Sequence, residues 1–424
     1  MRRSWSVGQY RGAAAASSGP RRRPAAGGRP HPRREACVLD EPQSVEEARR
    51  VAVHAVWTFP SVLGSAFVLA WGAEAAQFYV SQGLALALLA WLQTLPEFAV
   101  EAVIAWQRDV PLMTANFTGA LRLLTGLGWP MIWVVFAVAG SGRRSGARWP
   151  HIRLDPEHAV EIVGLAPPLV YFGWIVFKGT LDLVDAGVLV ALYAAYLVVL
   201  GRVPPRDAEE AADLPAVPRA IVRLAPGPRW LAIAGLFAAG GAGLWLAAHP
   251  FLESMKGLAI SLGVSTFVFV QWVAPFLSEF PEKTSAFYWA RSRGKASMAL
   301  MNMVSSNINQ WTVLAAMIPV VYALSAGGPE PVPLAEHRVE LILTLLQNAV
   351  GLVLLANFTF HAYEALGLFA LWLAQFLVPG WREEIAVLYA VWLVIELGST
   401  TWRPGRLRAF VTFAHLIAGR PARR

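Results

Sequence analysis

Leu92-Gln93-Thr94-Leu95-Pro96-Glu97 and Leu277-Ser278-Glu279-Phe280-Pro281-Glu282 are two stretches in which a proline directly precedes a glutamate inside a long apolar run. Proline removes one backbone donor and frees a helix carbonyl, and a charged side chain at the bilayer centre costs about 2.5–3.5 kcal/mol on insertion scales. Irregular backbone at membrane depth is tolerated where it lines a cavity. Freed carbonyls and a carboxylate together suit a hard cation. The two stretches therefore predict two broken membrane helices that line a cation site.

The composition also indicates a membrane protein and excludes a large soluble domain. Hydrophobic residues make up 56% of the 424 residues and charged residues 15%, against roughly 25% charged in a typical globular protein. The single cysteine, Cys37, excludes an internal disulfide and a cysteine metal site. The net charge is +8, but the basic residues lie mostly in tails and loops, which favours a role in topology and lipid contact over nucleic-acid binding.

From residue 51 the chain reads as apolar runs of about 20 residues, the length that crosses a bilayer. We expect about 11 transmembrane helices, near residues 51–71, 79–107, 115–139, 159–177, 182–201, 229–247, 257–291, 297–324, 339–358, 361–379 and 383–399. The second and seventh runs are too long for one plain helix. Each of them contains one of the two Pro-Glu stretches, so we expect both helices to be broken or tilted.

An internal repeat organises these spans. Glu157-His158-Ala159-Val160-Glu161-Ile162 recurs 179 residues later as Glu336-His337-Arg338-Val339-Glu340-Leu341, and Asn116 recurs as Asn302 after the second Pro-Glu stretch. The Glu-His segments lie where a loop meets a span and lack a second histidine at zinc spacing, so they indicate helix entry rather than a metal site. Each half contains five spans. An odd number means that the second half enters the membrane in the opposite sense, as in many secondary transporters.

The expected fold is therefore an all-α polytopic membrane protein with two inverted five-helix repeats and one extra C-terminal helix. Basic interior loops, together with the basic C-terminal tail, place the loop between the repeats and the C-terminus in the cytoplasm of a plasma-membrane protein, although the N-terminal arginines oppose this orientation. We expect a disordered Arg-rich tail, a first repeat, a cytoplasmic linker, a second repeat, and an extra helix with a basic cytoplasmic tail, at residues 1–50, 51–201, 202–228, 229–379 and 380–424.

The pattern resembles the sodium/calcium exchanger (cation/Ca²⁺ antiporter) superfamily, whose two inverted repeats each carry a Gly-Thr-Ser-Leu-Pro-Glu break and a Gly-Asn-x-x-Gly-Ser-Asn helix. The partner helices here read Ala115-Asn116-Phe117-Thr118-Gly119-Ala120-Leu121 and Met301-Asn302-Met303-Val304-Ser305-Ser306-Asn307. The resemblance implies that Glu97 and Glu282 are the central cation ligands. It implies further contributions from the breaks and from the partner helices, at Gln93, Thr94, Ser278, Asn116, Asn302, Ser306, Asn307 and Gln310.

The chain also departs from the family pattern. In the third span, Ala120, Leu121 and Leu124 replace polar residues that help to bind sodium in the family, and Arg122 is an additional charge. In the seventh span, Glu279 replaces a small hydroxyl residue and Lys283 follows Glu282. Glu279 is a further candidate site residue, and with Lys283 it is either an internal ion pair or a protonatable group. Glu101, one turn after Glu97, is either a lining residue or a structural one.

The resemblance implies a secondary active transporter, not an enzyme, that exchanges a divalent cation for Na⁺ or H⁺ by alternating access. Ca²⁺ is the first choice. Proton coupling ranks close behind as a hypothesis, because a protonated extra carboxylate could replace a lost sodium site. The expected partners are inorganic cations and the lipid bilayer, with no cofactor and no nucleic acid; the oligomeric state stays open. Two alternatives also remain, a non-transporting membrane scaffold and an intramembrane metal-dependent enzyme, although the sequence has no metal-ligand cluster or nucleophile motif for the latter.

Overall fold

The computed structural model describes residues 45–76, 91–139, 142, 149–202, 214–292, 294–399 and 405–418. This part of the chain is almost entirely helical, as the sequence predicted. Within it, seven helical segments are long and apolar enough to cross a membrane: Ala55–Ala76, Val110–Ala139, Pro156–Lys178, Leu183–Leu200, Pro226–Leu262, Ala296–Ala326 and Ala335–Leu355. Thr266–Ser278 and Ala362–Leu377 are shorter apolar helices. The chain is thus a multi-pass membrane protein.

In the described residues of the first half there are eight α-helices and two short strands. In chain order they are α1 (Val45–Ala52), α2 (Ala55–Ala76), α3 (Leu95–Gln107), α4 (Val110–Leu123), α5 (Trp129–Ala139), β1 (Ile152–Arg153), α6 (Ala159–Gly164), α7 (Ala166–Lys178), β2 (Thr180–Leu181) and α8 (Leu183–Leu200). A π-helical turn at Leu124–Gly128 joins α4 to α5, and a 3-10 turn at Pro156–His158 leads into α6. The latter turn contains the first Glu-His segment.

The second half repeats this order after a short connecting helix. Its elements are α9 (Ala216–Val222), α10 (Pro226–Leu262), α11 (Thr266–Ser278), α12 (Phe280–Arg291), α13 (Ala296–Asn309), α14 (Ala315–Ala326), β3 (Val332–Pro333), α15 (Arg338–Leu355), β4 (Thr359–Phe360), α16 (Ala362–Leu377), α17 (Arg382–Ser399) and α18 (Arg408–Ile417). A π-helical turn at Gln310–Leu314 joins α13 to α14, and a 3-10 turn at Ala335–His337 leads into α15. Each special turn of the first half therefore has a counterpart here.

The four strands tie the halves together at two ends of the bundle. β1 pairs antiparallel with β4, and β2 pairs antiparallel with β3. A membrane-length helical segment, Pro156–Lys178, separates β1 from β2, so the two small sheets lie at opposite ends. Each half contributes one strand to each end. Below, the ends are called the β1–β4 end and the β2–β3 end.

Two helices that begin beside a sheet have N-caps of matching design. Asp182 accepts from the backbone N–H groups of Val184 and Asp185, and Asp185 accepts in return from the N–H of Asp182. Such a capping box satisfies donors that the first helical turn leaves free. The Lys178 ammonium donates to Asp182 at 2.8 Å and lowers the pKa of that carboxyl. At the start of α16, Glu364 accepts from the backbone N–H of His361 at 2.7 Å.

The long helix α10 packs along α2 by close backbone approach. A Cβ atom added at Gly240 would come within 2.7 Å of the Leu69 side chain, so only glycine permits this spacing. Thr58 and Ser254 share a buried hydrogen bond of 2.9 Å in the same pair. Helix–helix contacts of this kind, with small residues and interhelical hydrogen bonds, are typical of membrane proteins.

Several predicted boundaries were wrong. The seventh span was expected to start at residue 257, but residues 257–262 continue α10, which ends at Gly263 in a left-handed conformation with φ of 67°. The disordered tail was expected to reach residue 50, whereas α1 already begins at Val45. The C-terminal tail contains the additional helix α18. The remainder of the expected tail, residues 1–44, lies outside the described residues.

Candidate cation-binding site

Two helix breaks form the centre of the candidate site. A turn at Thr94 precedes α3, and a turn at Glu279 separates α11 from α12, so both long spans are broken as predicted. Proline is tolerated in the first helical turn because its missing N–H has no partner there. Pro96 and Pro281 occupy this turn, and each places a glutamate, Glu97 or Glu282, at a helix N-terminus. The helix dipole favours negative charge at this position.

In the first half, one amide connects two carboxylates. The Asn116 Nδ2 atom lies 2.5 Å from Glu97 Oε1 and 2.7 Å from Glu101 Oε2 and donates to both. All three side chains are completely buried. The second carboxylate oxygen of Glu97 accepts from the Ser278 hydroxyl at 2.5 Å. Since Ser278 belongs to the other break, the two halves meet at this carboxylate.

The second half holds Glu282 by similar contacts. The Ser306 hydroxyl donates to Glu282 Oε1 at 2.6 Å, and the Asn302 amide approaches the same oxygen at 3.5 Å. Asn302 Nδ2 also donates to Gln93 Oε1 at 3.2 Å. This bond is a second link between the breaks, because Gln93 lies just before Thr94. Two hydrogen bonds thus link the halves at the breaks, from Ser278 to Glu97 and from Asn302 to Gln93.

Glu279 forms an internal ion pair beside Glu282. The Lys283 Nζ atom lies 2.6 Å from Glu279 Oε2, and the Gln310 amide donates to Glu279 Oε1 at 2.6 Å. Both members of the pair are buried, so the ammonium compensates a charge that would be costly alone. The ion-pair interpretation of these two residues is the arrangement that the structure contains.

Five buried oxygen atoms around these carboxylates have no hydrogen-bond partner among the described residues: Glu101 Oε1, Asn116 Oδ1, Glu282 Oε2, Asn302 Oδ1 and Gln310 Oε1. Buried polar atoms in proteins are nearly always paired, so unpaired ones call for an explanation. All five are acceptors, and oxygen is the ligand that Ca²⁺ and other hard cations prefer. Within the described residues, no three His, Cys, Asp or Glu side chains form a metal cluster. A cation here would therefore need the amide and hydroxyl oxygens as well.

Two of the expected site residues have other partners. The Thr94 hydroxyl donates to the carbonyl of Trp91 at 2.8 Å, within its own chain segment. Asn307 donates to the Thr125 hydroxyl at 3.2 Å, and this hydroxyl donates to Asn348 at 3.0 Å. Thr94 is nevertheless the break residue itself. Through these bonds, Asn307 links α13 to the π-helical turn of the first half, and Thr125 links that turn to α15. Among the described residues, Asn307 has no hydrogen bond to a carboxylate.

Sequence reasoning missed a further carboxylate near the site. Glu74 of α2 is 3% exposed and accepts from the Ser285 hydroxyl at 2.8 Å. Ser285 lies three residues after Glu282, one helical turn further along α12. The signal was available, because Glu74 is an isolated charge near the end of an apolar span. Thr125 and Asn348 were also missed, since neither stands out among the polar residues of its helix.

Arg122 lies outside this cluster, in a separate buried network. Its guanidinium donates to Glu340 at 2.8 Å, to Gln375 at 2.8 Å and to the Thr118 hydroxyl at 3.1 Å. The other Glu340 oxygen pairs with Arg382 of α17 at 2.6 Å. The network joins α4, α15, α16 and the extra helix α17. Arg122 is thus a structural charge with partners, and it does not enter the site around Glu97.

A sequence model of the family described as "Sodium/calcium exchanger protein" matches residues 51–201 and 232–380. The crystal structure of an H⁺/Ca²⁺ exchanger, CAX, is similar with a TM-score of 0.79 and 29% sequence identity, over 87% of this chain and 92% of that chain. No curated protein sequence matches the chain.

Structures of a sodium-calcium exchanger, NCX_Mj, share the fold at lower similarity. One soaked with Na⁺ and Ca²⁺ has a TM-score of 0.51 and 16% identity, over 78% of this chain and 98% of that chain. Another, soaked with Na⁺ and Sr²⁺, has a TM-score of 0.50 and 18% identity, over 79% of this chain and 99% of that chain.

Proposed function

Since the chain belongs to the sodium/calcium exchanger family, we propose that it is a secondary active transporter that exchanges Ca²⁺ for H⁺, with Na⁺ as the alternative counter-ion. The observation that carries this proposal is a buried glutamate at each of the two helix breaks. Glu97 is hydrogen-bonded to Asn116 of its partner helix and to Ser278 of the other half. Glu282 is hydrogen-bonded to Ser306 and Asn302 of its own partner helix. Glu97 and Glu282 are the proposed central ligands. The other proposed site residues form hydrogen bonds with these glutamates or with their neighbours and are Gln93, Asn116, Ser278, Asn302, Ser306 and Gln310.

Charge balance supports a divalent cation. At the two helix breaks themselves, Glu97, Glu279 and Glu282 bring three negative charges when ionised, and Lys283 brings one positive charge. Glu101 lies one helical turn beyond the first break and is not part of this sum. The two remaining negative charges match one divalent cation. Burial of uncompensated charge is costly in the low dielectric of the protein interior, so departure of the cation requires that two monovalent cations take its place. This exchange of occupants is the basis of the proposed antiport.

Two observations favour H⁺ over Na⁺ as the monovalent ion. The similarity to an H⁺/Ca²⁺ exchanger extends over most of both chains. In addition, Ala120, Leu121 and Leu124 supply no side-chain oxygen in α4 and the following turn, where the family has sodium ligands. Carboxylates accept protons without needing these additional oxygens. The sodium alternative rests on the family match.

The proposed architecture is two inverted five-span repeats and an eleventh span, α17. The strand pairing supports the inversion. β1 and β3 hold corresponding positions in the two halves, before Pro156–His158 and Ala335–His337, yet β3 pairs with β2 at the opposite end from β1. We place the protein in the plasma membrane with the β1–β4 end in the cytoplasm, because interior basic loops favour that side.

The test is calcium flux in vesicles that contain the purified protein. With an outward proton gradient, the wild type should take up ⁴⁵Ca²⁺, and Glu97→Gln or Glu282→Gln should lower the initial rate at least about 30-fold, because removing one buried charged partner costs roughly 2–5 kcal/mol of binding. Glu253→Gln is the matched control, since Glu253 contacts Gln107 and Lys256 near the end of α10. Replacing the proton gradient by a sodium gradient decides the counter-ion.

One result would contradict the transport function, and another would contradict the proposed ion site. If neither gradient drives calcium flux through a folded wild type, a non-transporting scaffold is the better description. If Glu282→Gln transports as well as the wild type, the carboxylate pair is not the ion site.

A further inference from the structure

The central pair of glutamates has a buried carboxylate on each side of it along the helices. Glu101 lies one helical turn after Glu97 on α3, and Glu74 of α2 contacts Ser285, one turn after Glu282 on α12. Glu101 is completely buried and Glu74 is 3% exposed. The internal repeat does not account for Glu101, because Ala286 holds the position in α12 that Glu101 holds in α3. One flanking carboxylate belongs to the broken helix itself and the other comes from a neighbouring helix.

The two flanking carboxylates lie toward opposite ends of the bundle. α3 runs from the break toward Arg108, which pairs with Glu330, two residues before β3. Glu101 therefore lies on the side of the β2–β3 end. α12 runs the other way, packing against α5, whose Trp133 donates to the carbonyl of Pro150 just before β1. Glu74 and Ser285 thus lie on the side of the β1–β4 end.

Glu101 shares a ligand with the central site and has an unused oxygen. The Asn116 amide bridges it to Glu97, at 2.7 Å and 2.5 Å. Glu101 Oε1 and Asn116 Oδ1 are both fully buried acceptors without a hydrogen-bond partner in the described part of the chain. No ion pair joins Glu101 to a basic side chain there either, whereas the additional carboxylate of the other half, Glu279, has Lys283. A cation beside Glu101 would satisfy both oxygens and the charge.

A purely structural role explains these features less well. A carboxylate that only held α3 against α4 could be replaced by a neutral amide or hydroxyl with the same hydrogen bond, at a much smaller cost of burial. Two basic side chains toward this end of the bundle have other partners. Lys256 contacts Gln107, Glu253 and Asp109, and Arg108 contacts Glu330 and Tyr322.

We propose that Glu101 and Glu74 are flanking stations for the exchanged divalent cation, one between the central site and each face of the membrane. This inference rests on the proposed function. The cation passes between Glu101, with the Asn116 carbonyl oxygen, and the central pair on the β2–β3 side. It passes between the central pair and Glu74, near Ser285, on the β1–β4 side. Adjacent binding positions let an ion leave a strong site by small steps, as conduction through a multi-site pathway requires.

The proposal predicts an effect confined to one face. In vesicles of defined orientation, Glu101→Gln should raise the Ca²⁺ concentration for half-maximal exchange about tenfold at the β2–β3 face and change it less than twofold at the other face. Glu74→Gln should show the reverse. Glu101→Asp, which retains the charge, should recover part of the loss. Glu253→Gln serves as the control, because its carboxylate lies near the β2–β3 end but pairs with Lys256.

Each outcome of these measurements either supports or overturns the flanking stations. An effect of Glu101→Gln at the β2–β3 face only, together with an effect of Glu74→Gln at the other face only, supports both stations. ⁴⁵Ca²⁺ binding to the purified variants in detergent is the folding control. Binding within about threefold of wild type shows that the variants are folded with the central site intact. Equal effects on both faces, or none, overturn the stations while leaving the exchanger function in place. Absence of exchange by a folded wild type overturns the exchanger function itself and the stations with it, so the two failures are distinguishable.

Discussion

The two halves of the molecule have the same backbone breaks but different chemistry around them. Each half has a turn followed by a proline and a buried glutamate, and each ends its next helix in a π-helical turn. The first half has Thr94 and Phe98 where the second half has the ion pair Glu279–Lys283. The broken-helix scaffold and the ligand set are therefore separable, so similarity of the scaffold does not by itself identify the transported ions.

The partner helices α4 and α13 also differ in the polar contacts that they make with the site. In α13 and the turn after it, Asn302, Ser306 and Gln310 all donate to site residues. In α4 only Asn116 does so, and Arg122 forms its ion pair with α15 instead. The second half thus supplies more of the polar contacts, and the first half depends on one amide.

The largest effect should come from breaking the ion pair that distinguishes the halves. Glu279→Gln leaves Lys283 buried without its carboxylate, and Lys283→Met leaves Glu279 with only Gln310. Each change should lower the free energy of unfolding by about 3–5 kcal/mol, the cost of an uncompensated buried charge. The double variant Glu279→Thr with Lys283→Phe, which reproduces the first half, should recover most of the loss. Thermal unfolding of the purified proteins in one detergent measures the difference.

Additive losses in the double variant would contradict this interpretation, because they would mean that the two side chains act separately. Full stability of either single variant would show that the pair is not needed, and the contrast between the halves would then lose its physical basis. Calcium binding by the double variant shows, in addition, whether the pair contributes to the site.

A smaller effect is expected at Arg122, the charge present only in the first half. Ile308 holds the corresponding position of α13, so Arg122→Ile makes the halves alike. The change should lower the free energy of unfolding by about 2–3 kcal/mol, below the full cost of a broken buried pair because Glu340 retains Arg382. Calcium affinity should change less than about twofold. A large loss of affinity without a loss of stability would instead place Arg122 at the ion site.

Local sequence predicted the breaks because their causes are local. Proline at a fixed distance before a glutamate decides where the helix ladder is interrupted, and Thr94 and Glu279 are the turn residues in the structure. The end of α10 was predicted wrongly, since the apolar run continues through residues 257–262. Gly263, followed by Val264 and Ser265, was the available signal, because glycine commonly ends helices in the left-handed conformation.

The remaining features depend on partners far away in the chain. Arg122 and Glu340 are 218 residues apart, and Asn307 and Thr125 are 182 residues apart. Neither partner could be chosen from periodicity, since several polar residues lie on each helix. Asn307 was expected near the carboxylates by resemblance, but its described bond is to Thr125. The ligand roles of Glu97, Glu282 and their neighbours stay predictions, which the flux measurements test.

The smallest effect should separate the two asparagines that hold corresponding positions in α4 and α13. Asn116 donates to two carboxylates at 2.5 and 2.7 Å, whereas Asn302 approaches Glu282 only at 3.5 Å and Ser306 donates to the same oxygen at 2.6 Å. Asn116→Ala should therefore weaken ⁴⁵Ca²⁺ binding to the purified protein about tenfold, the lower range for lost orienting contacts. Asn302→Ala should weaken it only about two- to threefold, because Ser306 still holds Glu282. A greater loss from Asn302→Ala would mean that its link to Gln93 across the breaks matters more than the contacts within either half.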